Sequence, residues 1–332
     1  MMRLPMTRPL RHTLAALGAS VMVAAPAGAS AGTSAGADGM SQPYAPLPST
    51  IAPPAPTQPV GTDEDGFPVW ADGLLAPAPL PPAPVDATRI DARLKGYVLG
   101  FKVIDARYDG WIGADSYAVR ARLGTAGLGA LLRKLDVWAV TEGRWDANGL
   151  HPTYHLQQNT DKKRRRVEMR YDYGARSVDV SVIPPNGSQG VPPASAPERF
   201  GADDTVSTFL NLMVRRPLLG LPTCGGAVEV FDSKQRYNLR LAERDFDADG
   251  KSGGYRGPLR ECEVFYEPVS GFDPEDLPDA EEGSTPVRMR VGELDGFDVP
   301  LRFSYRISGF RAVIKTDRIT LTRPDGTAVE LD

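Results

Sequence analysis

The segment Asp245-Phe246-Asp247-Ala248-Asp249-Gly250 carries the residue types of a calcium-binding loop. Asp245, Asp247 and Asp249 occupy the first, third and fifth positions of such a loop, and a Gly follows at the sixth. The twelfth position is Arg256, where a bidentate Glu would complete the site. The flanking residues alternate like strands. The pattern therefore predicts a polar hairpin loop, with weak calcium binding by the three aspartates as the alternative.

Two histidines, His151 and His155, lie close together in the chain and raise the question of a metal or general-base site. Pro152 disfavours a helix there, and the segment has the pattern of a turn followed by a strand. On a strand, positions four apart lie on one face about 13 Å from each other, which is too far for one metal ion. We therefore expect ordinary packing or surface histidines, with a metal or general-base role as the alternative.

The sequence carries no strong signature of an enzyme. It contains no phosphate-binding P-loop, no HExxH motif and no CxxC motif. The nucleophile-elbow pattern GxSxG occurs once, at residues 28–32, where an export signal is predicted to be cleaved. We therefore predict a protein without catalytic activity and, apart from the weak calcium candidate, without a cofactor.

The first 31 residues have the three parts of an export signal, which predicts a periplasmic location. Three arginines precede an apolar stretch at 13–25, and small-x-small cleavage sites follow at 27–31. The apolar stretch of about 13 residues is shorter than the roughly 20 that span a bilayer, so a retained anchor is the less favoured alternative. Cleavage removes three of 38 basic residues and leaves 35 against 42 acidic ones, a net charge of −7. An exported acidic chain argues against nucleic-acid binding.

The chain has only two cysteines, Cys224 and Cys262. In an exported protein an even pair predicts a disulfide bond. Closing a loop of about 38 residues would stabilise the fold by roughly 3–4 kcal/mol in the chain-entropy model. Two free buried thiols or a redox pair are the alternatives, and two cysteines alone cannot complete a zinc site.

Residues 32–89 are rich in Pro, Ala, Gly, Ser and Thr, a composition that predicts a disordered linker. The segment 66–75 interrupts this composition with Phe67 and Trp70. We interpret these two side chains as resting on the folded domain. A short partner-binding motif is the alternative.

Five consecutive basic residues, 162–166, lead into a stretch in which charged and apolar residues alternate. Glu168 and Asp172 continue the charged side with the opposite sign. We interpret this side as the solvent-exposed face of an edge strand, where charge discourages edge-to-edge pairing. Electrostatic contact with anionic envelope lipid or polymer is the alternative.

Alternation with a period of two dominates the chain after residue 90 and predicts strands with one buried face. Clear examples are residues 166–173, 177–182, 237–241 and 299–306. A helix is predicted over 205–214 after the cap residue Asp204, and a weaker one over 126–134. The domain at 90–332 is thus expected to be mainly β, with one or two short helices packed against it. A single curved antiparallel sheet would form a half-open or spiral β-barrel.

Five segments, taken in this order, resemble the bacterial exported family called domain of unknown function 3108. They are GYVLGFKVIDARYDG (96–110), GLGALLRKLDVWAVTEGRW (127–145), LHPTYHLQQNTDKKRRRVEMRYD (150–172), CGGAVEVFDSKQRYNLRL (224–241) and YRGPLRECEVFYEPVSGF (255–272). The resemblance covers about residues 92–322. It implies an exported β-rich domain of unassigned activity with paired cysteines at Cys224 and Cys262, similar in outline to half-open barrels such as lipoprotein carriers. Thr205 stands where the family has Pro, and residues 274–284 form an acidic insertion.

Together these features predict a non-enzymatic protein of the cell envelope that binds an apolar ligand, either a lipid acyl chain or a lipoprotein, in a groove of the barrel. The predicted groove residues are Val167, Met169, Tyr171, Val180, Phe209, Met213, Phe303 and Tyr305, with the helical Phe209 and Met213 as a lid. An envelope scaffold that binds a protein and has no ligand cavity is the first alternative, and an enzyme is less favoured. A membrane-spanning barrel would also suit the alternation, but the linker, helix and cysteine pair argue against it.

Overall fold

The computed structural model of the chain describes residues 58–62, 68–70, 79–132, 135–160, 164–278, 283–307 and 310–332. The predicted export signal and most of the predicted linker at 32–89 lie outside these residues, as does part of the basic run at 162–166.

Strands account for most of the described residues. A short hairpin, β1 (Gly61–Thr62) and β2 (Pro68–Val69), stands apart from the main sheet. The main sheet contains β3 (Thr88–Val98), β4 (Phe101–Ile112), β5 (Ser116–Thr125), β6 (Asp136–Asp146), β7 (Gly149–Asn159), β8 (Arg166–Asp172), β9 (Ser177–Ile183), β10 (Ala227–Phe231), β11 (Arg236–Ser252), β12 (Tyr255–Ser270), β13 (Val287–Leu294), β14 (Phe297–Ile307), β15 (Phe310–Thr322) and β16 (Ala328–Leu331).

All fourteen strands of the main sheet pair antiparallel with their neighbours. The order is β10-β11-β12-β13-β14-β15-β3-β4-β5-β6-β7-β8-β9, with β16 beside one end of β15. The edge strands β9 and β10 do not pair with each other, so the sheet is not closed. Instead the backbone of Asp203 bonds the free edge of β10, donating to Glu229 and accepting from Phe231, both at 2.9 Å. The predicted fold class, a curved antiparallel sheet forming a half-open barrel, is confirmed.

In the described ranges, three α-helices accompany the sheet: α1 (Leu128–Leu132), α2 (Ala196–Phe200) and α3 (Thr205–Val214). Helix α3 has the predicted bounds because the Asp204 side chain accepts hydrogen bonds from the first free backbone N–H groups of the helix. Helix α2 was not predicted, although Glu198 accepts from the backbone N–H of Ser195 as in a capping box. Within the described part of the chain, no helix has the length and apolar character that crossing a membrane requires.

Helix α3 lies on the concave side of the sheet and fills much of its interior. Nine of its ten residues are buried, and it packs against β5, β6, β7, β10 and β14. β10, β14 and the adjacent strands β5 to β7 are far apart in the sheet order, so they can all reach one helix only because the sheet curls around it. The two residues predicted as a lid, Phe209 and Met213, lie within this enclosed helix. Phe209 and Met213 are 2% and 0% exposed, since strands enclose the helix on several sides.

The charged face of β8 is buried, which corrects the interpretation of this segment as a solvent-exposed edge strand. Arg166, Glu168 and Arg170 are 3%, 1% and 9% exposed. Strand β8 is second from the edge, with β9 outside it. Arg166 donates from Nε to Gln158 Oε1 at 2.8 Å, and a Trp ring covers its guanidinium. The charges of β8 are thus held by contacts within the protein.

The covering ring belongs to Trp70, in the segment that the sequence predicts as linker. Trp70 is 2% exposed, and its ring centroid lies 4.2 Å from Cζ of Arg166. Its indole N–H donates to the Arg164 carbonyl at 3.2 Å. Farther along, the carbonyl of Pro81 accepts from Nε1 of Trp111 at 2.9 Å. These contacts support the interpretation in which apolar linker residues rest on the domain.

The substitution Trp70→Ala is expected to lower the free energy of unfolding by about 2 kcal/mol, because it exposes apolar surface and removes a cation–π contact. Urea denaturation of the full chain measures the loss. Val60→Ala is the matched control from the same segment, since Val60 is 67% exposed and should leave stability unchanged. Equal stability of the Trp70→Ala variant and the wild type would show that the segment does not dock in solution.

Candidate functional site: an apolar pocket between the sheet and helix α3

A pocket of about 100 Å³ lies between the concave face of the sheet and the first turns of α3. Strands β3 to β7, β11, β14 and β15 provide its walls, and the helix provides its floor. Most of the lining side chains are apolar. They include Leu94, Ile104, Leu123, Val137, Phe209 and Phe303.

The pocket lies toward one end of the curled sheet, which we call the pocket end. Gly96 and Ile104 line it a few residues from the turn between β3 and β4, and Ile314 lines it near the turn between β14 and β15. Leu123 and Val137 flank the connection between β5 and β6, which carries α1. A ligand entering between these turns would therefore reach the pocket without crossing the core.

The predicted groove residues divide between separate regions of the interior. Phe209 and Phe303 line the pocket. Met213 and Tyr305 belong to the same main core cluster but do not line the pocket. The remaining four, Val167, Met169, Tyr171 and Val180, belong to a second cluster together with Ala194, Ala202 and Phe231. This second cluster contains residues of β8, β9 and β10, so its side chains fill the space between the two unpaired edges of the sheet.

Most pocket residues were not predicted, although their strands were. Leu94, Ile104, Leu123 and Val137 lie on β3 to β6, where apolar and polar residues alternate as they do elsewhere in the chain. The alternation identifies the inward face of each strand. It does not say which part of that face the helix leaves uncovered, because that depends on where α3 sits.

A buried polar network fixes the first turn of α3 beneath the pocket. Asp204, fully buried, accepts a hydrogen bond from the Thr141 hydroxyl at 2.8 Å and lies 3.0 Å from Nδ1 of His155. The Ser207 hydroxyl donates to the other carboxylate oxygen at 2.6 Å. Ser207 also bonds the hydroxyl of Tyr117, at 2.8 Å. The network ties the helix to β5, β6 and β7 and so holds the pocket floor in place.

The pKa values of two neighbouring carboxyl groups, Asp203 and Asp204, are shifted in opposite directions. Burial raises the pKa of Asp204, but His155 and the hydrogen bonds from Ser207 outweigh it, so this pKa lies below its ordinary value. For Asp203, burial dominates and raises the pKa to about 8, although its bond from Asn211 lowers it. Asp204 is thus the charged partner of the network, and Asp203 is protonated over most of the physiological range.

Nδ1 of His155 lies 2.8 Å from the hydroxyl of Thr141, which donates to Asp204. The hydroxyl of Ser207 donates to Asp204, and the carboxylate therefore lies between the Ser207 hydroxyl and the imidazole ring. Ser207 and His155 thus do not form a nucleophile–base pair. His151 is 9% exposed with its Nε2 3.0 Å from Asp146, and its ring meets Tyr173 edge-on. Both histidines are buried, and the absence of a general-base role stays a prediction.

The three aspartates of the calcium candidate lie on an extended strand. Asp245, Asp247 and Asp249 belong to β11, where the register shifts just before Asp245 and again after Asp247, so the predicted polar hairpin loop is corrected to a strand. Over the described ranges, no three or more His, Cys, Asp or Glu side chains come together as a metal-binding group. Calcium binding stays a prediction, which a calcium-dependent rise in Tm would support.

Cys224 and Cys262 form a disulfide with Cα atoms 5.2 Å apart. Cys262 is fully buried on β12, and Cys224 is 6% exposed in the segment that follows α3. The bond therefore anchors the carboxyl-terminal side of the helix to the wall of the barrel, while Asp204 anchors the amino-terminal side.

Residues 90–246 match the model of a family described as "Protein of unknown function (DUF3108)", which confirms the resemblance seen in the sequence. No curated protein matches the chain. Among solved structures, the chain is similar to the crystal structure of a beta-barrel-like protein of domain of unknown function DUF1849 from Brucella abortus. The identity is 10% and the TM-score 0.39, over 70% of this chain and 96% of that one. That likeness is too distant to support an argument about function.

Proposed function

We propose that this chain, which carries the domain of unknown function 3108 over residues 90–246, is a non-enzymatic cell-envelope protein that binds an apolar ligand inside its curled sheet. The single observation that carries the proposal is the apolar pocket between the pocket end of the sheet and α3. The ligand class is a lipid acyl chain, free or attached to a lipoprotein.

The chemistry of the lining supports an apolar ligand. Ile104, Leu123, Val137 and Phe209 offer no hydrogen-bonding group, so a ligand held among them gains mainly from leaving water, about 25 cal/mol per Å² of apolar surface. Thr205 and Thr208 at the floor are the nearest hydroxyl groups of the helix. A charged or sugar-like ligand would lose its hydration without enough polar partners.

The size of the pocket sets what it can hold. A cavity of about 100 Å³ is smaller than the ~150 Å³ cavities known to bind a benzene ring, and much smaller than most drug-sized sites. It accommodates the end of an acyl chain or a single apolar side chain. A longer portion of the ligand would extend between the turns of the pocket end.

The position of α3 favours a second candidate function. Because the helix fills much of the interior, the barrel is stable without a ligand, as expected of a scaffold that presents its outer surface to an envelope protein. In that case the pocket is a packing space only. Binding of an apolar probe separates the two functions.

The substitution Ala121→Leu is expected to weaken binding of a fluorescent fatty-acid probe at least tenfold, because the added carbon atoms occupy the pocket that Ala121 lines. Fluorescence titration of the purified protein measures the dissociation constant. Ala227→Leu makes the same change on an exposed position of β10 and should leave binding unchanged.

Absence of probe binding to the wild type would reject the ligand proposal and favour the scaffold. Equal binding by both Leu variants would place the probe elsewhere on the protein. A melting curve for each variant, recorded without probe, shows whether the fold is retained.

A further inference from the structure

A row of like charges crosses the outer face of four neighbouring strands. Arg290 on β13 lies directly opposite Arg302 on β14, Arg302 lies opposite Lys315 on β15, and Lys315 lies opposite Lys95 on β3. Directly opposed side chains on one face have Cβ atoms about 5 Å apart, and like charges at that distance destabilise a sheet. We call these four residues the cation row.

Among the described residues, the two ends of the cation row are ion-paired with acids. Glu261 is 3.2 Å from Arg290, and Asp317 is 2.8 Å from Lys95. In the middle, Arg302 and Lys315 form no ion pair with a described residue, and burial together with Arg311 and Arg290 lowers the pKa of Arg302. In the middle of the row, two cations therefore lie side by side without an ion pair, and Asp317 and Asp332 line the same surface pocket.

The remaining outer surface follows a different pattern. Several other arginines of the sheet are ion-paired with an acid on a neighbouring strand or turn, even where the register sets arginines opposite one another, as in Arg93 and Arg107. Examples are Arg107–Asp91, Arg120–Asp109, Arg122–Asp136, Arg144–Asp115, Arg240–Glu267 and Arg260–Glu243. The chain as a whole is acidic. The two middle residues of the cation row, Arg302 and Lys315, thus differ from these ion-paired arginines.

More cations extend the row toward the pocket end. Arg306 and Arg311 are opposite each other on β14 and β15, both exposed, and Arg288 is exposed on β13. None of the three forms an ion pair with a described residue. On the neighbouring strand β12, Glu263 lies opposite Arg288, and beyond β12 Asp273 is 2.6 Å from Nζ of Lys234. Arg306 and Arg311 therefore concentrate positive charge at the pocket end of β14 and β15.

Large apolar side chains stand exposed beside these cations. Leu99 and Phe101, in and next to the turn between β3 and β4, are 61% and 57% exposed, and Phe310 at the start of β15 is 51% exposed. Val98 pairs with Ala312, so the two turns are neighbours. Leu128 of α1 is 45% exposed close by, since the neighbouring Gly127 lies against the carbonyl of Lys102. We call these four residues the apolar tips.

We propose that the apolar tips and the cations around them dock this end of the protein on the surface of an anionic phospholipid membrane. Side chains on turns project outward, so they can enter the headgroup region, and a flanking basic surface is attracted to anionic lipid. A groove that binds a protein partner would instead have its apolar side chains recessed in a concave surface. The proposal does not depend on occupancy of the pocket, although docking would bring the pocket end to the membrane.

Sedimentation with vesicles tests the proposal, using protein purified after export into the periplasm of an expression host. Vesicles of phosphatidylglycerol and phosphatidylcholine are expected to bind the protein, whereas pure phosphatidylcholine vesicles bind much less. Binding should weaken as salt is added, because exposed charges are screened. The variant Arg306→Glu/Arg311→Glu is expected to bind anionic vesicles more than tenfold more weakly.

A matched control makes the same change of charge at the opposite end of the sheet. Arg89 and Arg256 are exposed and form no ion pair with a described residue, so Arg89→Glu/Arg256→Glu should bind nearly as the wild type does. Phe101→Ser/Phe310→Ser should also weaken binding about tenfold if the tips enter the membrane.

The proposal is overturned if the wild type does not sediment with anionic vesicles, or if both Glu variants lose binding equally. It is also overturned if sedimentation requires vesicles that contain envelope proteins, which would make the partner a protein. Probe binding in the pocket can succeed or fail in either case, so the two proposals are tested separately.

Discussion

Replacing Asp204 by Ala is expected to lower the free energy of unfolding by about 3–5 kcal/mol. Its carboxylate is 0% exposed, caps α3, and accepts from the hydroxyl of Thr141 beside the ring of His155. The substitution leaves buried donors without an acceptor and removes the cap. Urea denaturation at pH 7 measures the loss, and Asp204→Asn, which keeps an oxygen at the cap, should lose less.

The pH dependence of stability provides a second measurement of the same carboxylate. Because the folded pKa of Asp204 lies below its ordinary value, the group stabilises the protein above the unfolded pKa of about 3.9. That stability is lost as the pH falls through the lower folded pKa, so the difference between wild type and variant should narrow in acid. Asp179→Ala, on an exposed position of β9, is the control and should change little. A loss below about 1 kcal/mol for Asp204→Ala would contradict the structural role of this network.

Removing the disulfide by Cys224→Ala/Cys262→Ala is expected to cost about 3–4 kcal/mol, the value for closing a loop of 38 residues in the unfolded chain. The double substitution leaves no free thiol, and the measurement is again urea denaturation. Reduction of the wild type should lower its stability by a similar amount, whereas the same reductant should leave the double variant unchanged.

Thiol labelling of the native protein tests whether the disulfide is formed. Both cysteines are buried and bonded, so a thiol reagent should not react before reduction. Two reactive thiols in untreated protein, or a double variant as stable as the wild type, would show that the bond does not form or does not stabilise the fold.

The sequence predicted those elements whose signals are local. Helix α3 was placed at its observed bounds because Asp204 provides a cap and apolar residues recur at the helical period. The strands were predicted because their buried face alternates with a polar one. Helix α2 was missed, since five residues are too few to show a helical period.

The features that the sequence did not reveal depend on distant neighbours. The charges of β8 looked solvent-exposed because the ring that covers Arg166 comes from Trp70, far away in the chain. The pocket depends on where α3 sits within the sheet, and the cation row depends on the register between four strands. No single strand contains either pattern.

The central claim is that an apolar ligand occupies the pocket between the sheet and α3. Native mass spectrometry of protein purified from the cell envelope, recorded before and after extraction with organic solvent, tests it most directly. We expect an added mass of a few hundred daltons that extraction removes and that the Ala121→Leu variant lacks. Wild-type protein that carries only its own mass before extraction, and that takes up no fatty-acid probe afterwards, would contradict the claim.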